Sequence, residues 1–352
     1  MTNALLRLIV FILCSNVVAI LSSERCDICT CHVVDSVLLL NCSDAKIRQG
    51  EFSGMLRQPY PESYTRYPYK TMEAHFENSR IKTLSRLVLN SVESLYLAHN
   101  EIVAINPETF VKITTLKTLS LKDNNLQTLD EKSFRGLKNL KNLDLSYNEL
   151  QTLDEKSFNG LRNLENLDLS HNNLTNLSPR TFSALQSLNT LSLSHNKIEN
   201  LEGEIFSIQK LQTLDVSFNS ILKIGLNVFD KAYNLRTLNL SNNNIAKIDD
   251  YKIASLETLD LSCNNKVTVG PDAFTSLKSL KWLSLASNSL EEVPLKVEMV
   301  AELRVLHLEG NAIKELGDSV KQPKLEELYV QNNRLQTFDV NGARLRVSNL
   351  QI

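Results

Sequence analysis

One pattern returns every 21 to 24 residues from Val92 onward, and it constrains the fold more than any other feature of this 352-residue chain. The pattern is L-x-x-L-x-L-x-x-N-x-L, and residues 140–150 are a full example. A unit of this length, copied many times, predicts a solenoid in which each repeat packs only against its neighbours. Eleven repeats match the pattern, and they begin at Val92, Leu116, Leu140, Leu164, Leu188, Leu211, Leu235, Leu256, Leu280, Leu303 and Leu325.

Each repeat is predicted to form one short parallel β-strand. Its fourth and sixth positions are apolar, so on a strand both side chains point to one face, while the residue between them points to the other. Positions 3 and 5 of every strand, with positions 7 and 8 beside them, therefore share one outward surface. We call this surface the strand face, and we number positions from the first residue of each repeat.

Two further residue columns recur at fixed positions. Position 9 is asparagine in all eleven repeats. Because a buried amide has two donors and an acceptor to satisfy, this column is predicted to bond the backbone of neighbouring repeats where the chain leaves the sheet. Position 19 is often phenylalanine, and these rings are predicted to stack into a spine under the convex side. The phenylalanines are Phe110, Phe134, Phe158, Phe182, Phe206, Phe229 and Phe274.

Residues 1–23 have the order of a secretory signal peptide: a positive charge before Leu8, an unbroken apolar run to Leu13, and small residues before Glu24. An N-terminal membrane anchor is the alternative, but the run of about 13 to 16 apolar positions is shorter than the roughly 20 that a membrane span needs. We expect cleavage between Ala19 and Glu24. No later stretch is as apolar, so the sequence predicts a secreted, extracellular protein with no stable membrane insertion.

Four of the six cysteines fall within seventeen residues, which in an oxidising compartment predicts two disulfides. A zinc site is the competing interpretation. The Cys-x-x-Cys-x-Cys spacing is tighter than in paired Cys-x-x-Cys zinc sites, and secretion also argues against zinc. Cys263 is left without a partner, because Cys14 is expected to leave with the signal peptide. The clustered cysteines are Cys26, Cys29, Cys31 and Cys42.

The repeats and the cysteine cluster together resemble the extracellular leucine-rich repeat family, which includes Toll-type ectodomains, Slit and secreted insect immune proteins. The resemblance covers roughly residues 26–352. It implies an α/β-type solenoid, a leucine-rich repeat horseshoe with a parallel β-sheet on the concave face and a mostly irregular or short-helical convex side. It also implies an N-terminal cysteine cap with the pairs Cys26–Cys31 and Cys29–Cys42.

The segments follow one another as a signal peptide at 1–23, the cysteine cap at 24–47, a Tyr/Pro-rich insert at 48–70 and the repeat array at 71–352. The array begins with a degenerate repeat at 71–91. Residues 347–352 match the start of a twelfth repeat, and the second cysteine cap that the family often has does not follow. An array that ends on an unpaired strand exposes an apolar edge, so either the sequence is truncated or that edge contacts a partner.

Catalysis and nucleic-acid binding have no support in the sequence. The G-x-S-x-G, H-E-x-x-H, P-loop and Gly-rich dinucleotide motifs are absent, and the six histidines are scattered. Lys+Arg number 38 against 40 Asp+Glu, which excludes the basic excess that binds nucleic acid without sequence preference. We therefore expect a non-enzymatic protein with no cofactor and no metal site.

Position 8 supplies the first candidate protein-binding site. Four successive repeats carry a ring there, and because adjacent strands lie about 4.8 Å apart, the rings are predicted to form one continuous ridge. The alternative is that exposed loops sample such residues freely. The ridge residues are Tyr147, His171, His195 and Phe218.

A second candidate site lies toward the C-terminal end of the array. Trp282, the only tryptophan, takes position 3 of its repeat, and large rings with arginine are the side chains that anchor protein interfaces. The alternative is that the tryptophan packs against a neighbouring loop. The predicted contact residues are Trp282, Arg304, His307 and Tyr329.

Sequons for N-glycosylation occur at four asparagines. One of them, Asn239, falls on the strand face by register, so a glycan there would obstruct the middle of the surface and leave its ends for binding. The four are Asn41, Asn173, Asn176 and Asn239.

Cys263, at position 8 of its repeat, leaves two alternatives open. An exposed thiol in an oxidising compartment would find a partner, giving a homodimer or a heterodimer with another leucine-rich repeat protein. An irregular loop would instead bury it as a small hydrophobic side chain.

Together these features predict a secreted, glycosylated protein-binding module that acts in recognition, in innate immunity or in cell-surface signalling and adhesion. Its partner is expected to be a protein ligand or receptor. Two alternatives remain: the ectodomain part of a transmembrane leucine-rich repeat receptor, and a structural protein of the extracellular matrix.

Overall fold

The computed structural model describes residues 30–34, 37–45, 71–87, 89, 91–264, 267–296, 299–337 and 346–347. The chain divides into two compact units, the first made of residues 1–150 with 156–164 and the second of residues 151–155 with 165–352. The predicted signal peptide, Cys26, Cys29 and the Tyr/Pro-rich insert lie outside the described residues.

Among its described residues, the first unit contains six strands. The first strand pairs antiparallel with the second, and every later strand pairs in parallel with the one before it. The strands are β1 (Thr30–Val34), β2 (Val37–Asn41), β3 (Thr71–His75), β4 (Val92–Tyr96), β5 (Thr118–Ser120) and β6 (Asn142–Asp144).

The second unit contains thirteen strands among its described residues. Nine form a parallel sheet in the order β7, β8, β10, β12, β14, β16, β17, β18, β19. Two small parallel pairs, β9 with β11 and β13 with β15, lie outside it. The strands are β7 (Asn166–Asp168), β8 (Thr190–Ser192), β9 (Asn200–Leu201), β10 (Thr213–Asp215), β11 (Lys223–Ile224), β12 (Thr237–Asn239), β13 (Lys247–Ile248), β14 (Thr258–Asp260), β15 (Thr268–Val269), β16 (Trp282–Ser284), β17 (Val305–His307), β18 (Glu327–Tyr329) and β19 (Arg346–Val347).

Each of the eleven repeats contributes one strand to a parallel sheet, as predicted. Positions 4 and 6 point inward: Leu119 and Leu121 are fully buried, while the residues on either side of Leu119 are half-buried. Each such leucine contributes about 1.5 to 3 kcal/mol when it is removed from water. The helix content of the described residues is a single 3-10 turn at Gly317–Val320, so the predicted parallel-strand solenoid with little helix is confirmed.

The asparagine column bonds successive repeats together, as predicted. The Nδ2 group of Asn124 donates to the carbonyl of Leu97 in the preceding repeat at 2.9 Å and to that of Leu121 in its own repeat at 3.1 Å. Its Oδ1 accepts the N–H of Ile102 at 3.0 Å. Because the side chain is buried, each bond satisfies a backbone group that water cannot reach.

The aromatic spine is also present. In the first unit Phe134 stacks on Phe158 with ring centroids 6.3 Å apart. In the second unit Phe206 lies 6.3 Å from Phe182 and 5.9 Å from Phe229. The spine continues at Tyr251, 5.8 Å from Phe229, a residue that the phenylalanine column did not include.

Candidate binding surface

Small polar side chains occupy position 5 of many repeats in each unit, and several of them serve the fold. Asp144 accepts hydrogen bonds from the N–H and the hydroxyl of Ser146, at 2.9 and 2.6 Å. Asp260 accepts the same two bonds from Ser262, at 2.9 and 2.7 Å. These carboxylates close the turn that follows each strand, so their recurrence at position 5 has a local structural cause.

Three rings lie on adjacent strands near the C-terminal end of the second unit, and we call them the C-terminal aromatic cluster: Trp282 on β16, His307 on β17 and Tyr329 on β18. The His307 ring stacks on Tyr329 with centroids 4.2 Å apart and planes within 2°. The Trp282 ring is tilted by 47° against His307 at 5.1 Å. The structure thus brings together three of the four residues predicted for this site.

Polar partners hold two rings of the cluster, those of His307 and Tyr329. The Nδ1 atom of His307 lies 3.1 Å from Oε1 of Glu309, and the Tyr329 hydroxyl donates to Glu327 at 2.8 Å. Two part-buried bonds of this kind limit rotation of the His307 and Tyr329 rings, while the His307 side chain remains 21% exposed. The fourth predicted residue, Arg304, is exposed at position 2 and forms an ion pair with Glu326 at 3.0 Å.

The first unit carries a similar pair that sequence analysis missed. His75 on β3 stacks on Tyr96 on β4 at 4.5 Å, with planes within 15°. Its two ring nitrogens lie 3.1 Å from Glu73 and 3.2 Å from Glu77. Partial burial, and then the charge of Glu73, raise the pKa of Tyr96 above its ordinary value. Aligning position 5 of the degenerate repeat with the next repeat would have revealed the pair.

The predicted ridge is present in the second unit as a stack of three rings. The centroids of His171 and His195 are 4.1 Å apart, and those of His195 and Phe218 are 4.2 Å apart. All three residues have a left-handed backbone, with φ between 52° and 54°. Tyr147 belongs to the first unit, where the Lys122 ammonium lies 5.2 Å from its ring centroid.

Cys263 is exposed and free, so the structure places its thiol on the surface and the alternative of a buried thiol is wrong. Cys42, by contrast, is buried in the first unit. The pairing of the cap cysteines stays a prediction, because it involves Cys26 and Cys29.

The four sequon asparagines differ in accessibility. Asn41 and Asn176 are exposed, and Asn173 and Asn239 are half-buried. The Oδ1 atom of Asn239 accepts the N–H of Ser241 at 3.0 Å, which is the turn-closing role that aspartate has in other repeats. Glycosylation at all four remains a prediction.

Within the part of the chain that the structure describes, no helix is long and apolar enough to cross a membrane. The same residues contain no group of three or more His, Cys, Asp or Glu side chains placed to hold a metal ion.

The family model described as leucine rich repeat matches this chain in six overlapping segments, at residues 90–150, 114–174, 138–198, 162–208, 209–257 and 254–297. Together the segments cover more than half of the sequence. The chain belongs to the leucine-rich repeat family. No curated protein sequence is similar enough to match this leucine-rich repeat chain.

Solved structures of leucine-rich repeat proteins are similar to it. The Toll–Spatzle complex of Drosophila matches with a TM-score of 0.64 and 20% identity over 80% of this chain and 45% of that one. The LRIM1/APL1C complex matches with a TM-score of 0.65 and 25% identity, over 79% of this chain and 50% of that one. An internalin of Listeria monocytogenes matches with a TM-score of 0.64 and 17% identity, over 97% of this chain and 95% of that one. The chain spans about half the length of the first two.

Proposed function

We propose that this leucine-rich repeat protein is secreted and works by binding another protein, in innate immune recognition or in signalling at the cell surface. Proteins of this family generally have no enzymatic activity, and their fold serves protein interaction. Two of the similar structures are complexes of two proteins, Toll with Spatzle and LRIM1 with APL1C. The signal-peptide pattern of residues 1–23 supports secretion.

The C-terminal aromatic cluster is the observation that carries the proposal. Thr258 holds the strand position directly opposite Trp282. Threonine or asparagine takes this position on the repeat strands β5, β6, β7, β8, β10, β12 and β14. The fold therefore needs only a small polar residue there. A half-buried tryptophan that fills no interior position stabilises the array little and is suited to anchoring a partner.

The proposal is tested by capture from extracellular fluid and from cell surfaces with the mature protein as bait. The double variant Trp282→Ala, His307→Ala is expected to bind the captured protein at least about tenfold more weakly, because truncating a central aromatic anchor costs about 2 kcal/mol or more. Thr258→Ala is the matched control, since it alters the same position on the adjacent strand. Equal affinity of the double variant and the control, with unchanged circular dichroism, would refute the assignment.

Secretion has a separate test. The full chain, expressed in insect cells, is expected in the medium with a new N-terminus between Ala19 and Glu24. Retention in the cell with an intact Met1 would contradict it.

A further inference from the structure

The strand face of the second unit carries charge of one sign. At positions 3, 5, 7 and 8, the repeats of β7 to β18 have five carboxylates and neither lysine nor arginine. Glu309 contacts His307 at 3.1 Å. Glu327 is in strand register with Arg346 on β19. The other three carboxylates are aspartates at position 5, which we call the aspartate row: Asp168 on β7, Asp215 on β10 and Asp260 on β14.

The fold needs a hydrogen-bond acceptor at these positions but does not need a charge. Each aspartate of the row accepts the N–H of the serine two residues later through its Oδ1 atom, at 2.8 to 2.9 Å. On β12, between Asp215 and Asp260, Asn239 closes the same turn at 3.0 Å with a neutral amide. The turn therefore explains an acceptor at position 5, but it leaves the negative charge of the row without a structural role.

Cations of the second unit do not compensate the aspartate row. Among the described residues, no lysine, arginine or histidine nitrogen lies within 4 Å of its carboxylates. The cations at the nearby position 2 pair with other groups, since Arg236 and Lys281 both contact Glu257. The three aspartates are half-buried, so solvent and salt screen their charges less than those of fully exposed groups. The row therefore attracts cations.

The aspartate row leads to the C-terminal aromatic cluster. In strand register, Asp168, Asp215 and Asp260 lie on every second strand, so successive members are about 10 Å apart and the row spans about 20 Å. Asp260 lies directly opposite Ser284 on β16, the strand that carries Trp282. The face of a tryptophan ring also attracts lysine and arginine. The row and the cluster are thus neighbouring parts of one surface.

We propose that the strand face of the second unit docks a basic segment of the protein partner, whose lysine or arginine side chains contact the aspartate row. This inference rests on the proposed function, because it names the chemistry of the partner at the same surface. A basic segment forms charge-assisted contacts here without first breaking an ion pair. An acidic partner is repelled. The aromatic cluster anchors the partner, and the row selects its charge.

Fluorescence anisotropy with rhodamine-labelled octa-lysine tests the charge preference without the partner. Eight extended residues span about 26 Å, enough to reach all three aspartates. We expect a dissociation constant on the order of 100 µM at low ionic strength, and weaker binding as salt is added. Octa-glutamate is expected not to bind. No binding of octa-lysine, or equal binding of the two peptides, would overturn the proposal.

Replacing the row by asparagine removes the charge and keeps the turns. The triple variant Asp168→Asn, Asp215→Asn, Asp260→Asn is expected to bind octa-lysine about tenfold more weakly, because three ion pairs are lost. Its unfolding temperature, measured by circular dichroism, should be no lower than that of the wild type, since Asn239 already fills the same role. Unchanged affinity, or a lower unfolding temperature, would contradict the proposal.

The matched control is Glu199→Gln, Glu202→Gln, Asp230→Asn, which removes three exposed carboxylates of the same unit from outside the strand face. An equal loss of affinity in this control would show attraction without a defined site and would also overturn the proposal. The peptide and the capture experiment fail separately. If octa-lysine does not bind but a protein is captured, this inference fails and the proposed function stands. If octa-lysine binds and no protein is captured, the charge preference stands and the proposed function fails.

Discussion

The two units carry the same pair of side chains in different settings. His75 lies opposite Tyr96 in the first unit, and His307 lies opposite Tyr329 in the second, each pair in strand register and stacked. The first histidine contacts two carboxylates and the second contacts one. Only the second has a tryptophan beside it. One stacking motif can therefore serve either a charged local network or an apolar contact surface.

The largest expected difference concerns binding of the partner captured in the experiment above. Tyr329→Ala removes the outer ring of the C-terminal aromatic cluster and is expected to weaken binding at least about tenfold. Tyr96→Ala is expected to change the affinity by less than about threefold, because its pair lacks a large apolar neighbour. Surface plasmon resonance with both variants measures the two affinities. Equal losses would show that both pairs bind the partner.

A smaller difference is expected in stability. The Glu77 carboxylate accepts the Ser43 hydroxyl at 2.6 Å and lies 3.2 Å from His75, while Glu309 has one such contact, to His307. Glu77→Gln is expected to lower the free energy of unfolding by about 1 kcal/mol and Glu309→Gln by about 0.5 kcal/mol or less. Urea denaturation at pH 7 measures both. A larger loss for Glu309→Gln would reverse the comparison.

The smallest expected effect is on the ionisation of Tyr96. Burial and the nearby Glu73 charge raise its pKa above 10.0 because both disfavour the phenolate. The absorbance titration of the wild type minus that of Tyr96→Phe should therefore have its midpoint above pH 10. In a Glu73→Gln background the midpoint should fall, since the Glu73 charge is one of the causes that raise the pKa. A midpoint unmoved by Glu73→Gln would contradict the contribution of Glu73.

Most of the architecture could be predicted because it depends on spacing. A leucine two residues from another leucine must share its face on a strand, and a buried asparagine must find backbone partners, so both columns followed from the repeat alone. Tyr251 was missed because the prediction depended on a constant spacing. Its repeat has 21 residues, so its aromatic side chain falls two positions before the phenylalanine column.

The candidate surface was less predictable because it depends on contacts between repeats. Trp282, His307 and Tyr329 could be placed on one face by register, but the polar bonds that orient His307 and Tyr329 depend on side-chain torsions. His75 was overlooked because its repeat is degenerate. The environment of Cys263 stayed open because the neighbouring Lys266 stands where the pattern expects an apolar residue.

The backbone conformation at position 8 lowers the stability of the array, and this bears on how the array could be redesigned. His171, His195, Phe218 and Asn242 all hold a left-handed backbone there, which asparagine tolerates and which costs most other residues about 1 to 2 kcal/mol. A consensus version of the array, selected only for heat resistance, would spread asparagine or glycine along this column. Such a design would unfold at a higher temperature but would lose the ridge of rings at position 8. Screening for thermal stability alone would therefore remove a surface that distinguishes this array from a consensus one.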